Sequence, residues 1–410
     1  MASEKHFFET DILLPDSGKT SGTLWSVVAC DQYTSEPEYW KETEETVGDA
    51  PSTLKLILPE VYLGEADERI PRINAEMDNY IKNVLSEHKN SMIYVERTLF
   101  CGKTRRGLVG AVDLEDYDFS KGSQSLIRAT EGTVLSRIPP RVKIRENAPL
   151  ELPHILMLAD DAEKTVIEPL SDKKDDFEKA YDFDLMQNGG HVEGYFVPEN
   201  EQSRIDEALR NLMTAESMKK RYGIDCAPLL FAVGDGNHSL ATAKAHWNEV
   251  KKTLSPEEIK THPARFALAE FNNIYDDGIY FEPIHRLVTG VDGKKFVDGL
   301  KSVDGRFGVL YGEDLSVTGE GSLPQSIKNA DEYIKEYISV NGGAVDYVHG
   351  EKNLSDLVKK DKSAVGITFE KLKKEDLFPY VSSYGALPRK TFSMGEGVEK
   401  RYYLEAKRIT

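Results

Sequence analysis

Gly234-Asp235-Gly236-Asn237-His238-Ser239 is the stretch of this chain whose residue types and spacing could most readily do chemistry. The two glycines let a ligand oxygen come close to the backbone. Asp235 can orient an imidazole or hold a cation, and His238 and Ser239 can hydrogen-bond a phosphate or reach a reacting hydroxyl. The apolar run Pro228 to Val233 comes before it, and Leu240, Ala243, Lys244 and Trp247 follow at helical spacing. Strand, glycine turn and helix therefore succeed one another without a gap. A helix's first turn carries amides with no partner inside the helix and a partial positive charge, so this entry reads as an anion site. The spacing is neither G-x-G-x-x-G nor G-x-x-x-x-G-K-[ST], which excludes a dinucleotide fingerprint and a P-loop here. A plain alternative stays open: Asp235 or Asn237 caps the helix, the glycines only supply positive φ, and His238 lies on the surface.

A second constellation runs from Arg128 to Arg145 and holds five basic residues in a strongly acidic protein. Guanidinium groups pair bidentately with phosphate, so Arg128, Arg137 and Arg141 are candidate phosphate ligands, with the Thr133 hydroxyl between them. Glu131 is a candidate general base toward a substrate hydroxyl. The alternative is a charged strand pair bridging to nearby carboxylates. Asp31 and Gln32, at the end of an apolar run, are candidate substrate contacts, as are His285 and Arg286. Arg389-Lys390-Thr391 reads as a lid over an anion or a solvated loop. Cys30, beside Asp31, is read as a buried thiol. No His and Cys pattern marks a metal site, and the metal ligands are left unassigned. Mg²⁺ carried by a nucleotide and one carboxylate is the cofactor that would leave no motif.

These residues need a scaffold. Leu24 to Cys30 reads as a buried strand emptying into a polar loop, and Arg69 to Glu87 as an amphipathic helix with Pro71 in its first turn. Met92 to Phe100 and Arg106 to Leu114 read as a strand pair joined by a short loop. Ile155 to Leu158 and Val166 to Leu170 read as short strands, and Glu199 to Tyr222 as a helix with Gly223 as its cap. From about Val291 the chain alternates helix and strand. The expectation is a mixed α/β (α+β) fold: a core over residues 1–290 carrying the ligand site, and an alternating α/β subdomain over 291–410.

With 410 residues, 40% of them hydrophobic and 30% charged, the chain can bury a sizeable core. A formal net charge of -18 argues against nucleic acid as a partner. No apolar run suggests a signal peptide or a membrane span, and three cysteines without paired spacing disfavour disulfides and structural zinc. A cytoplasmic location and a small anionic metabolite or nucleotide as partner are expected, and a homo-oligomer is compatible with the sequence.

The Gly234 to Ser239 turn resembles the Asp-Gly-His-His-Arg turn of the family called domain of unknown function 1015. In this element that family is similar to the ParB and sulfiredoxin superfamily. Here His238 keeps the second His, while Asn237 and Ser239 stand in place of His and Arg. The resemblance extends to Trp25 through Trp40, Arg128 through Asp161, Pro283-Ile284-His285-Arg286 and Leu387 through Phe392, and so covers nearly the whole chain. It implies a ParB/sulfiredoxin-like core elaborated with extra sheet segments and a C-terminal α/β subdomain. It also implies nucleotide or phosphate binding at the turn. The leading functional expectation is a small-molecule phosphotransferase or phosphatase. By the same resemblance, to a group that phosphorylates free serine with ADP, serine or phosphoserine is a candidate substrate. The alternative is a nucleotide or metabolite sensor without chemistry. With Ser239 at the arginine position, another basic residue must supply the charge.

Overall fold

The computed structural model describes residues 5–223, 226–312 and 314–410. The fold is mixed α/β with several sheets. Met1–Ile279, Val381–Gly385 and Glu396–Thr410 form one compact unit, and Tyr280–Tyr380 with Ala386–Gly395 form the other. The second unit thus begins ten residues before the expected boundary at 290, and the last fifteen residues belong to the first unit.

The first unit is built on a long mixed sheet. Ile93–Thr98 and Thr104–Asp113 pair antiparallel, and successive side chains along each strand point to opposite faces. That alternation feeds two cores. Ile93, Val95, Val109 and Leu268 enter one cluster, and Tyr94, Leu108, Ala267 and Ala269 enter the other. Phe266–Asn273 pairs antiparallel with Thr104–Asp113 and parallel with Leu156–Ala159. Phe231–Asp235, the strand that leads into the glycine turn, lies between Leu156–Ala159, antiparallel, and Ile127–Ala129, parallel.

Several local expectations are corrected. Leu24 to Cys30 is not a strand: Ser21 caps a short helix over Gly22–Trp25, and only Val28 then makes an isolated bridge, to Tyr402. Trp25 is almost wholly buried and its indole N–H donates to the Leu404 carbonyl at 2.8 Å, so a tertiary contact overrides the strand-forming composition. Val166 to Leu170 is likewise not a strand, and Glu168–Ser171 is a helical turn. Within Arg128 to Arg145 only Ile127–Ala129 is strand, and Ile138–Arg145 is a helix with two prolines in its first turn, where their missing N–H costs nothing. The helix expected over 199–222 breaks into Glu199–Leu212 and Ala215–Tyr222, because Thr214 caps a new N-terminus by accepting from the Ser217 amide at 3.1 Å. Gly223 ends the second piece in the left-handed conformation.

In the second unit, Gly293–Leu300, Gly308–Tyr311, Leu323–Asn341, Ala344–His349, Glu351–Lys360 and Val365–Thr368 alternate helix and strand, except that Asp314–Val317 follows Gly308–Tyr311 as its antiparallel partner. Phe281–Thr289 lies between Ala344–His349 and Val365–Thr368, antiparallel to both. Among the described residues no helix is long and apolar enough to cross a membrane.

Candidate functional site

Sheet register decides what surrounds the turn. Asp235 pairs with Leu156 on an antiparallel neighbour, so the residues just before Leu156, including His154, lie beside the turn. Val233 pairs with Ala129 on a parallel neighbour, so Thr130 lies there too. The Thr130 hydroxyl donates to the Val233 carbonyl at 2.6 Å, and the Asn237 side-chain Nδ2 donates to the same carbonyl at 3.2 Å. Asn237 is therefore a staple that closes the turn onto the sheet, and its own Oδ1 is buried without a hydrogen-bond partner.

Gly236 begins the helix Asn237–Val250 at φ 78°, and no side chain caps that helix. A Cβ on Gly236 would meet the Ile155 Cα at 3.0 Å, so conformation and space both favour glycine here. An uncapped helix entered through a left-handed glycine is what an anion site at a helix N-terminus requires.

Ser239 and His154 meet above this entry, with Oγ and Nε2 2.9 Å apart. On its other side, His154 Nδ1 lies 2.9 Å from the Tyr403 hydroxyl, which also accepts from the Cys30 amide at 3.1 Å. His154 Nε2 lies 3.8 Å from Asp31 Oδ2, and the Gln32 side-chain amide donates to Asp31 Oδ1 at 2.9 Å. Burial raises the Asp31 pKa, but the charge of His154, the Gln32 hydrogen bond and the charge of Lys400 outweigh it, and the carboxyl sits below its ordinary value. Lys400 Nζ lies 3.2 Å from Asp235 Oδ2, whose other oxygen accepts from the Gly236 amide at 3.0 Å. Burial and the neighbouring Asp31 push the Cys30 thiol up to about 12, so it stays protonated and is no nucleophile.

Buried arginines fix the chain end that carries Lys400 and Tyr403. Arg97 donates to the carbonyls of Val398, Glu399, Lys400 and Gly189, and Arg105 to that of Glu399. Burial, and secondarily Arg105, lowers the Arg97 pKa to about 9. Arg401 bonds Glu270 at 2.9 Å, Glu405 at 2.6 Å and the Pro153 carbonyl at 2.7 Å, tying the tail to the residue before His154. The Ala29 amide donates to the Arg401 carbonyl and the Tyr403 amide to that of Val27, which brings in Cys30 and Asp31.

The residues singled out in the sequence fall into three groups. Gly234, Asp235, Gly236, Asn237, His238, Ser239, Asp31 and Gln32 come together, and His238 Nε2 accepts from the Val134 amide at 3.3 Å. Glu131 is half-buried one residue beyond Thr130, and the Thr133 hydroxyl is buried without a hydrogen-bond partner. Arg141 pairs with Glu60, whose amide donates to the Cys30 carbonyl at 2.8 Å.

Arg128 is not brought to the turn. Its guanidinium donates to the carbonyls of Ser125, Ala227 and Pro228 at the opposite end of the strand. The side chain of Arg137 lies outside the described residues. His285 and Arg286 belong to the second unit and are committed within it. Arg286 pairs twice with Asp331 at 2.8 Å, and His285 Nδ1 accepts from the Phe369 amide at 3.3 Å. Arg389 and Lys390 each give a carbonyl to Arg286. His154, Lys400 and Tyr403 were missed. The one signal for His154 was a histidine directly before the apolar run Ile155 to Leu158.

Asp182, His191 and Glu193 are the group among the described residues that could together hold a metal ion, and they lie on the hairpin Lys179–Leu185 and Gly190–Phe196.

A family model described as a protein of unknown function (DUF1015) matches residues 13–399, and the chain belongs to that family. No curated protein matches it. Among solved structures, a conserved hypothetical protein from Pyrococcus furiosus is 10% identical at a TM-score of 0.35, over 72% of this chain and 90% of that one. A mutant free serine kinase in complex with AMP is 9% identical at a TM-score of 0.39, over 72% and 92%. A C-terminally truncated SbnI from Staphylococcus aureus is 9% identical at a TM-score of 0.34, over 70% and 82%.

Proposed function

We propose that the chain is a small-molecule phosphotransferase or phosphatase, with a ParB/sulfiredoxin-like core, that seats a phosphoryl group on the amides of Asn237, His238 and Ser239. One observation carries this reading: an uncapped helix entered through Gly236 is surrounded by His154, Lys400 and the ionised Asp31. Lys400 supplies the positive charge that an arginine in place of Ser239 would have given. Phosphoryl transfer asks chiefly for positioning and charge neutralisation, and a weakly basic carboxylate suffices to take the proton late. The acceptor oxygen bonds to phosphorus, the bond to the leaving oxygen breaks, and the acceptor's proton passes to a carboxylate, Asp31 first and Glu131 second. Asp235, held by Lys400 and the Gly236 amide, keeps the turn in shape. Were Mg²⁺ to enter on a nucleotide's phosphates, Asp31 would offer it an oxygen donor, and Glu131 would then take the proton.

Serine and phosphoserine are the first substrates to test, with ADP and ATP as phosphoryl partners. Phosphorus NMR of the full chain with each combination reads both binding and turnover. Turnover that disappears in Asp31→Asn supports the enzyme; line broadening without turnover in every combination replaces it with a nucleotide or metabolite sensor. No change in any phosphorus signal overturns both.

A further inference from the structure

Asn237 is the first residue of the uncapped helix and is 7% exposed. Its side-chain amide has one chemically sensible orientation. The Val233 carbonyl can only accept, and the Thr130 hydroxyl has already given its proton to that carbonyl at 2.6 Å. Two acceptors therefore face one edge of the amide, at 3.2 Å and 3.4 Å, and that edge must be Nδ2. With nitrogen and oxygen exchanged, both hydrogen bonds would become contacts between oxygens. Oδ1 is thus the other edge of the planar group and faces away from the Val233 carbonyl. It is buried without a hydrogen-bond partner, so no amide of the helix's own first turn donates to it. An amide oxygen has no proton to give. Among amides that attract an anion stands an atom that repels one, and its burial without a donor is costly.

We propose that Asn237 Oδ1 is a specificity-determining acceptor that makes the turn a site for hydrogen phosphate, a tetrahedral dianion still carrying a proton, and not for fully ionised oxyanions. The first-turn amides take the charged oxygens of the ion, and its hydroxyl donates to Oδ1. Sulfate has the same shape and the same double negative charge but no proton, so against it Oδ1 stays unpaired and repels. Selectivity of this kind comes from rejecting the wrong ligand as much as from holding the right one. The proposal rests on the phosphoryl site at the turn, and of the two reactions proposed there it favours the phosphatase, whose product is this ion.

The test titrates the full chain calorimetrically with inorganic phosphate and with sulfate at pH about 8, where both are chiefly dianions. Phosphate should bind tighter than sulfate by about 10–100-fold. A histidine at 237 would put its Nδ1–H where Nδ2 lies and a C–H where Oδ1 lies, so Asn237→His should bring the two affinities together. Asp31→Ala, which removes a carboxylate acceptor near the helix entry, should keep the ratio of the wild type. Equal affinities in the wild type overturn the proposal and leave the phosphoryl site standing. A ratio kept in Asn237→His, or lost in Asp31→Ala, overturns it by giving the ligand's proton to another acceptor. Binding of neither ion overturns the phosphoryl-site reading and the proposal with it. If Asn237→His fails to fold, crystals of the wild type with phosphate decide. A phosphate oxygen within about 3.2 Å of Oδ1 requires a proton between the two atoms, and a phosphate at the turn whose oxygens all avoid Oδ1 overturns the proposal.

Discussion

The two ends of the strand Phe231–Asp235 each hold a cation and use it differently. At the entering end Arg128 is 2% exposed, and its guanidinium donates to three main-chain carbonyls through Nε and Nη2, with Nη1 left without a hydrogen-bond partner. At the leaving end Lys400 sets its ammonium beside Asp235, next to an uncapped helix and an ionised Asp31. Burial lowers the Arg128 pKa, as expected for a guanidinium inside the sheet that faces carbonyls and no carboxylate. The lesson is that a cluster of basic residues along a chain locates no anion site. What each cation faces does, and that depends on register.

The sharpest way to break this comparison is at the leaving end. His154→Gln should lower turnover by about 10²-fold if His154 fixes the reacting groups, with thermal unfolding little changed; full turnover in steady-state kinetics would remove His154 from the site. At the entering end the pattern should invert. Arg128→Met removes the donor to three part-buried carbonyls, and urea unfolding should show a loss of about 1–3 kcal/mol while phosphate affinity per folded molecule is kept.

The second unit supplies a pH signature of its own. Burial, with Arg286 and His349 adding to it, lowers the His285 pKa to about 4. The depressed value means that His285 stabilises the unit fully above its unfolded pKa of about 6.5 and loses that contribution as pH falls toward the folded value, at most about 3 kcal/mol. Unfolding followed from pH 7 to 4 should show this slope, and His285→Gln should flatten it. Phosphate binding in the first unit should not follow the same slope.

Smaller effects refine the turn. Gly236→Ala forces a Cβ into a left-handed residue already close to Ile155, and should cost about 1–2 kcal/mol in urea unfolding together with a weaker phosphate titration. Lys400→Met should weaken phosphate about tenfold. Lys143→Ala, at an exposed pair with Asp67, should change neither melting temperature nor affinity, although Lys143 lies in the same basic stretch as Arg128.

The glycine turn was legible because an apolar run, two glycines and a helical period stand side by side from Pro228 to Trp247, and local chemistry alone sets their conformation. The alternation after Val291 was legible for the same reason, each helix carrying its own apolar period. Leu24 to Cys30 was not, since the Ser21 cap and the burial of Trp25 against Leu404 outweigh strand-forming residues. The partners of the turn were hidden more deeply. His154 and Tyr403 are 249 residues apart, and it takes the Arg401 bond to the Pro153 carbonyl and the pairing of the chain end with Val27 and Ala29 to bring them together. Arg128 looked like a phosphate ligand because sequence shows a charge and not the carbonyls around it.

Crystals of the full chain grown with inorganic phosphate test the central claim most directly. The account predicts phosphate oxygens about 2.7–3.2 Å from the amides of Asn237, His238 and Ser239, with Lys400 turned from Asp235 toward the ion. Phosphate bound at another place while Lys400 stays on Asp235 and the helix entry is closed by its own side chains would contradict it.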